Sequence, residues 1–276
     1  MSAAFDRLQA KVLELGRVAV AVSGGVDSMT LATLAARTLG RDAMLAVHAV
    51  SPAVPAEATA RVRAQAEAEG WILRIVDAGE FADPRYRANP VNRCFFCKTN
   101  LYDAVAKVTD RQIVSGANLD DLGEYRPGLT AAAEHGVRHP YVEAAVDKSA
   151  VRQIARDLGL AAIAELPAAP CLSSRIETGL RVEPETLQFI HRVERLVAAR
   201  VAAEPPGRAV RCRIRASGIV VELDAPSLAA LADTDRDALG LAILDAAPAT
   251  VARRTVSFAP YRTGSAFLVD KLEAAS

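Results

Sequence analysis

Residues Arg17 to Leu31 read RVAVAVSGGVDSMTL, and their order decides the fold. Val18 to Val22 is an apolar run rich in β-branched residues, which predicts a buried parallel strand. Ser23-Gly24-Gly25 follow at once, and Val26 to Thr38 then carries apolar residues at helical spacing. Strand, glycine turn and helix together form an anion-binding arrangement. The glycines let backbone N–H groups come close to an anion, the helix N-terminus adds partial positive charge, and Ser23 and Ser28 add hydroxyl donors. Asp27 is the odd residue, because a carboxylate repels polyphosphate. It fits if it meets the phosphates through Mg²⁺ or helps shape the loop. The competing reading is a tight structural turn that caps a helix.

The loop lacks the Gly-Lys-Ser/Thr ending of the Walker motif and the G-x-G-x-x-G of dinucleotide sites. Its six residues SGGVDS resemble the pyrophosphate loop of the ATP pyrophosphatase (PP-loop) enzymes. That resemblance implies ATP held by Ser23, Gly24, Gly25, Asp27 and Ser28, with Gly116 from a later loop. It also implies cleavage between the α and β phosphates, with AMP moved onto a substrate oxygen.

The 276 residues suffice for one large or two medium domains. Lysine plus arginine balances aspartate plus glutamate at 33 each, so no general field favours nucleic acid. No apolar run approaches a membrane span, and MSAAFDRLQAKVLELG reads as an amphipathic helix rather than a signal peptide. A cytoplasmic location is expected. The four cysteines are then ligands, nucleophiles or core residues rather than disulfides.

Strands at Ala43 to Val50, Ile72 to Val76 and Gln112 to Ser115 alternate with helices at Ala3 to Leu15, Pro55 to Glu69 and from the cysteine pair to Val108. The pattern predicts a doubly wound, mostly parallel α/β sheet, whose ligands sit at the strand C-termini. His139 to Val142 reads as a short strand, and Asp147 to Leu158 as a helix with Asp147 as N-cap. Glu165 to Gly179 has no clear period and reads as an inter-domain loop. The expected organisation is an ATP domain over 1–165, a linker over 166–182 and a smaller α+β domain over 183–276, with its last strand ending near Val269.

Cys94 and Cys97 form a C-x-x-C at a loop-to-helix junction, a spacing that lets both sulfurs face one centre. Cys171 lies in the irregular stretch between Pro170 and Leu172, which favours chemistry over packing. Cys212 alternates with arginines along a strand and shares the face of Val210 and Ile214, so it is expected in the core. The other three thiols suit a [4Fe–4S] cluster with one open iron, a zinc site, or an unliganded pair beside an unrelated Cys171.

In VRCRIRASGIVVELD, a turn at Ser217-Gly218 would set Ile214 opposite Val221 and Cys212 opposite Leu223. Arg213 would then oppose Glu222, and Arg211 would oppose Asp224. Two arginines at i and i+2 can grip one phosphate. The pattern alone favours a solvated face with cross-strand ion pairs, each worth little.

Besides SGGVDS, the chain carries NRCFFCKTNLY, SGANLDDLGEYRPG, PAAPCLSSRIETG and VRCRIR in order. This set resembles the LarE-type sulfur transferases of nickel-pincer nucleotide cofactor biosynthesis, over nearly the whole chain. The resemblance implies an adenine nucleotide alpha hydrolase-like fold. It also implies Mg²⁺-dependent adenylylation of a carboxylate on pyridinium-3,5-biscarboxylic acid mononucleotide, followed by sulfur insertion. Cys171 falls on the sulfur-donor position, and Cys94 with Cys97 places the chain in the [4Fe–4S] branch rather than the branch that leaves dehydroalanine. Arg211 and Arg213 fall on the substrate-phosphate arginines, and Ser174 and Arg175 beside the sulfur source are also expected to hold substrate. A small nucleotide substrate, a sulfide or persulfide donor and homo-oligomers are implied as partners. Ala164-Glu165-Leu166-Pro167 departs from the expected aromatic-acidic-lysine-proline run, which bears on the acceptor rather than on the ATP chemistry. The rival readings are a tRNA-thiolating PP-loop enzyme, which should show a basic RNA-binding extension, an ammonia-using synthetase, which would not need Cys171, and an ATP sensor, which would release no pyrophosphate.

Overall fold

A computed structural model describes residues 2–123, 125–201, 209–251 and 254–268. The expected domain end near Val269 lies outside them. The order begins α1 (Ala3–Leu15), β1 (Val18–Ala21), α2 (Val26–Leu39), β2 (Met44–Val50), α3 (Ala56–Glu69) and β3 (Ile72–Asp77). It continues with α4 (Pro84–Arg87), α5 (Arg93–Ala106), β4 (Gln112–Val114), α6 (Pro127–Glu134), α7 (Pro140–Glu143), α8 (Lys148–Asp157) and α9 (Ala161–Ala164). The last elements are α10 (Pro184–Arg200), β5 (Val210–Arg215), β6 (Gly218–Leu223), α11 (Ala225–Ala230), α12 (Asp233–Asp245) and β7 (Val256–Pro260). Short 3₁₀ turns lie at Glu80–Ala82, Leu119–Gly123 and Leu172–Arg175.

The described residues of Met1–Ala82 and Cys94–Ala169 make one compact unit. Its sheet is wholly parallel, in the order β3-β2-β1-β4. Strands β1 to β3 are added outward in sequence, and β4 then pairs on the other side of β1. Loops leaving the C-terminal ends of β1 and β4 therefore separate at a topological switch point, where such sheets bind ligands. Both faces are covered, which is why the strands read as continuous apolar runs. Val18, Val20, Met44 and Ala46 share a core with Leu8, Leu31, Leu34 and Ile154 from α1, α2 and α8. Ala19, Leu45 and Val47 share the opposite core with Tyr102, Val105 and Ala132.

Asp147 caps α8 as expected, accepting from the Ala150 N–H at 2.8 Å. The strand expected over 139–142 is instead the helical turn α7. Pro140 holds its first position, where a fixed φ and a missing N–H both suit a helix. The sheet contact falls just before it, as a parallel bridge from Val114 to Arg138.

The second unit comprises the described residues of Asp83–Arg93 and Pro170–Ser276. A three-stranded sheet, β5-β6-β7, pairs antiparallel then parallel, and α10 packs on β5. Phe189, Ile190, Val193, Cys212, Ile214, Ile219 and Val221 are all buried. The hairpin turns at Ala216-Ser217, not at Ser217-Gly218. Ile214 pairs with Ile219, Cys212 with Val221, and Arg211 with Glu222. Gly218 explains the correction. Its φ is +154°, and a Cβ there would lie 2.8 Å from the Thr255 carbonyl, so it belongs in the strand beside β7 and not in the turn. Two-residue displacement keeps every side chain on its expected face.

Cys212 is fully buried, and burial pushes its thiol far above the ordinary range. Cys212→Ala should therefore lower unfolding free energy by about 1–2 kcal/mol in urea titrations. The native Cys212 thiol should also stay unlabelled by a water-soluble thiol reagent.

Candidate functional site

The residues Ser23 to Ser28 form a tight loop at the start of α2. The Ser23 N–H donates to Ser28 Oγ at 3.0 Å, and Ser28 Oγ–H donates to the Gly25 carbonyl at 3.2 Å. The two serine hydroxyls lie 3.1 Å apart. Gly24 has a φ of +83°, and a Cβ on it would come within 2.8 Å of the Ala58 carbonyl of α3. Gly116, from the loop after β4, has no room for a Cβ either, since one would lie 3.0 Å from Ser28 N and Asp27 C. Each glycine thus lets a neighbouring backbone reach the loop.

Asp27 is held on three sides. Lys148 Nζ meets its Oδ2 at 2.5 Å, Asn118 Nδ2 donates to Oδ1 at 3.1 Å, and the Tyr141 hydroxyl donates to its carbonyl at 2.9 Å. Lys148 is the first residue of α8, where the helix dipole disfavours a cation. Its charge is directed instead at a carboxylate on the first turn of α2. The lysine therefore offsets the repulsion that made Asp27 stand out. Asp27 is also a hard oxygen donor of the kind that Mg²⁺ requires.

His48 is fully buried on β2. Its Nδ1 lies 2.7 Å from the Val22 carbonyl and its Nε2 lies 2.9 Å from Thr59 Oγ1. A carbonyl only accepts, so Nδ1 carries the proton and Nε2 accepts from the threonine. Burial, opposed by the bond to Val22 and assisted by Arg63, lowers the His48 pKa. A neutral histidine thus ties the end of β1 to α3.

Cys94 and Cys97 lie on the first turn of α5, three residues apart and so on one face. Cys94 is exposed and Cys97 half-buried. Gly128 lets the start of α6 approach that turn, since a Cβ there would lie 3.0 Å from Lys98 Cγ.

In the second unit Cys171 is exposed at the head of a buried segment. Leu172, Ser173, Arg175 and Ile176 are all buried. Tyr86 Oη and Ser173 Oγ are 2.6 Å apart, and Arg93 donates to the Ser173 carbonyl at 2.8 Å. Arg175 forks onto Glu194 and donates to the carbonyls of Pro170 at 2.7 Å and Cys171 at 3.2 Å. Ser174 Oγ accepts from the same guanidinium at 3.0 Å. Arg175 therefore works as a clasp on the cysteine loop.

The arginine face of β5 is not the solvated face that the pattern alone favours. Arg213 is 4% exposed and pairs with Glu222, itself 1% exposed, at 3.0 Å. Arg215 bonds the other Glu222 oxygen at 2.7 Å. Arg213 also donates to the carbonyls of Ser174 and Arg262. Arg211 is half-buried, with its guanidinium 5.8 Å from the centre of the Tyr261 ring. Burial lowers its pKa, and Arg175 and Arg213 act in the same direction. Arg175 thus meets Glu194, while Arg213 and Arg215 share Glu222. Removing Glu222 would strand buried arginines, at a cost of about 3–5 kcal/mol.

Cys94 and Cys171 are exposed and Cys97 is half-buried, so their thiols are open to a ligand from solvent, whereas Cys212 is buried. Among the described residues, no three histidine, cysteine, aspartate or glutamate side chains are gathered as a ready metal cage. No helix among them is long and apolar enough to cross a membrane. Sequence reasoning missed Lys148, Asn118, Glu194 and the structural duty of Arg175. Lysine at a helix N-terminus was the one available signal, since it opposes the dipole.

No family model matches the chain. The Synechocystis sp. uncharacterized protein slr1717 is 43% identical over 185 residues, covering 66% of this chain and 68% of that protein. The pyridinium-3,5-bisthiocarboxylic acid mononucleotide synthase of Lactiplantibacillus plantarum is 32% identical over 157 residues, covering 55% of this chain and 57% of the enzyme. Uncharacterized protein MJ0830 of Methanocaldococcus jannaschii is 24% identical over 212 residues, covering 75% and 78% of the two chains.

Lys148→Met should weaken nucleotide binding by about tenfold or more, because Asp27 then faces the phosphates without its cation. Isothermal titration with ATP and Mg²⁺ measures this. The lowered His48 pKa means that unfolded chains take up protons more readily. Stability should fall as pH drops below about 6.5, through the lower folded-state pKa. In His48→Asn that slope should flatten in urea titrations across the same range.

Proposed function

The chain belongs to the family of slr1717, and from that premise we propose that it is an ATP-dependent sulfur transferase of the LarE type. The substrate we assign is pyridinium-3,5-biscarboxylic acid mononucleotide. Similarity to the Lactiplantibacillus plantarum synthase supports this acceptor. The observation that carries the reading is Cys171, an exposed thiol on a segment otherwise locked in place, in a chain that also builds the phosphate loop.

ATP binds over Ser23, Gly24, Gly25 and Ser28, with Gly116 completing the wall. Asp27 would hold Mg²⁺, which would offset phosphate charge when bound. A carboxylate oxygen of the substrate attacks the α-phosphorus, the bond to the β-phosphate oxygen breaks, and pyrophosphate leaves. The acyl-adenylate now carries a good leaving group. Sulfide-level sulfur presented beside Cys171 attacks the acyl carbon as its bond to the donor breaks, its proton goes to solvent, and AMP departs with the former carboxylate oxygen, leaving a thiocarboxylate. Arg211 contributes positive charge for the substrate phosphate. Arg213 and Arg175, committed to Glu222 and Glu194, hold that surface and the cysteine loop in shape. Ser174 lies next to the sulfur source and contacts substrate. Cys94, Cys97 and Cys171 would hold a [4Fe–4S] cluster, which when bound supplies an exchangeable sulfide so that the protein survives turnover. Sulfide replenishes the sulfur directly, a persulfide donor does so with a thiol as the two-electron reductant, and we expect a cytoplasmic homo-oligomer.

Anaerobic protein should contain roughly four irons per chain and release pyrophosphate only when the mononucleotide is present. Mass spectrometry should show oxygen exchanged for sulfur in the product. Cys171→Ala should still release pyrophosphate and form no thiocarboxylate, and Cys94→Ala should lose the iron. Pyrophosphate release without any sulfur product would sink the transferase reading. Iron-free protein that ends with dehydroalanine at position 171 would replace the cluster with a single-use cysteine.

A further inference from the structure

We propose that Arg61 of α3 is a ligand for the β,γ end of the bound nucleotide and for the pyrophosphate it becomes. The proposal rests on the ATP-cleaving reading above. Arg61 lies on the helix that presses against Gly24, where the Ala58 carbonyl leaves no room for a side chain. Its Nη1 donates to the Gly24 carbonyl at 2.6 Å, so the guanidinium is fixed at the edge of the phosphate loop.

Among the described residues this arginine has no carboxylate partner. Arg37 and Arg138 in the same unit are forked onto Glu69 and Glu143. A guanidinium bonded to one carbonyl keeps most of its five N–H donors and its whole charge. A carbonyl alone does not neutralise it, whereas a phosphate offers two oxygens at the spacing of the guanidinium fork. Lys148, which reaches the loop from α8, is engaged with Asp27. Negative charge builds on the leaving pyrophosphate as the α–β bond breaks, and Arg61 supplies a cation at the loop that no acid among the described residues has claimed. No local pattern announces it, because Arg61 lies 37 positions beyond Gly24 in an alanine-rich helix.

The test compares wild type, Arg61→Gln and Arg61→Ala by titration with ATP, with pyrophosphate and with AMP. Glutamine keeps a donor for the Gly24 carbonyl and removes the charge, so it separates phosphate binding from loop shaping. Both variants should lose ATP and pyrophosphate affinity by roughly tenfold to a hundredfold and bind AMP as wild type does. Equal losses for ATP and AMP, or no loss with either variant, would overturn the proposal. If Arg61→Ala does not fold, Arg61→Gln carries the comparison. A second measurement needs no variant: phenylglyoxal should modify Arg61 in the wild-type protein, pyrophosphate should protect it, and AMP should not. Equal protection by both would also overturn it. Wild type that binds neither ATP nor pyrophosphate would remove the nucleotide reading itself, and the proposal with it.

Discussion

A single carboxylate on the first turn of α2, Asp27, imposes the central constraint on the first unit. Asp27 lies on the first turn of a helix whose N-terminus favours negative charge, yet in the proposed nucleotide site the incoming phosphate is negative too. The chain resolves the conflict by bringing the first residue of a second helix, Lys148, onto that carboxylate. Asn118 and Tyr141 then fix it from two further segments. The packing of α2 against α8, the helical turn at Pro140 and the close approach at Gly116 all serve this arrangement. A cation cannot be delivered to Asp27 unless those backbones meet.

What the sequence disclosed follows from the range of each interaction. The phosphate loop, the alternation of strands and helices and the Asp147 cap are local, and each leaves a composition signal. Faces of the 210–224 hairpin were legible because alternation is local, but its register was not, because a two-residue shift preserves every face. Arg211 and Arg213 looked alike in the sequence. Only the fold separates them, by burying one against Glu222 and setting the other beside Tyr261. Lys148 meets Asp27 across 121 positions, and no periodicity could announce that.

The second unit handles charge differently. It buries Arg175 against Glu194 and Arg213 against Glu222, and uses their remaining donors on backbone carbonyls around the cysteine loop. Buried ion pairs of this kind add little net stability compared with apolar packing. What they provide is fixed geometry: the carbonyls of Pro170, Cys171 and Ser174 are each held by a group that is itself held. An exposed thiol can then be presented from an irregular segment without that segment being loose.

Residues 83–93 belong to the second unit, although the chain on both sides of them belongs to the first. Asn89 and Arg93 bond the backbone between Ser173 and Glu177, and Gly179 N–H returns to Asn89. Neither unit is therefore an uninterrupted piece of the gene. A recombination event joining the last hundred residues to a different first unit would leave the cysteine loop without its support. The two halves must travel together in evolution, and sequence change in the short inserted strip is answerable to a partner some ninety residues away.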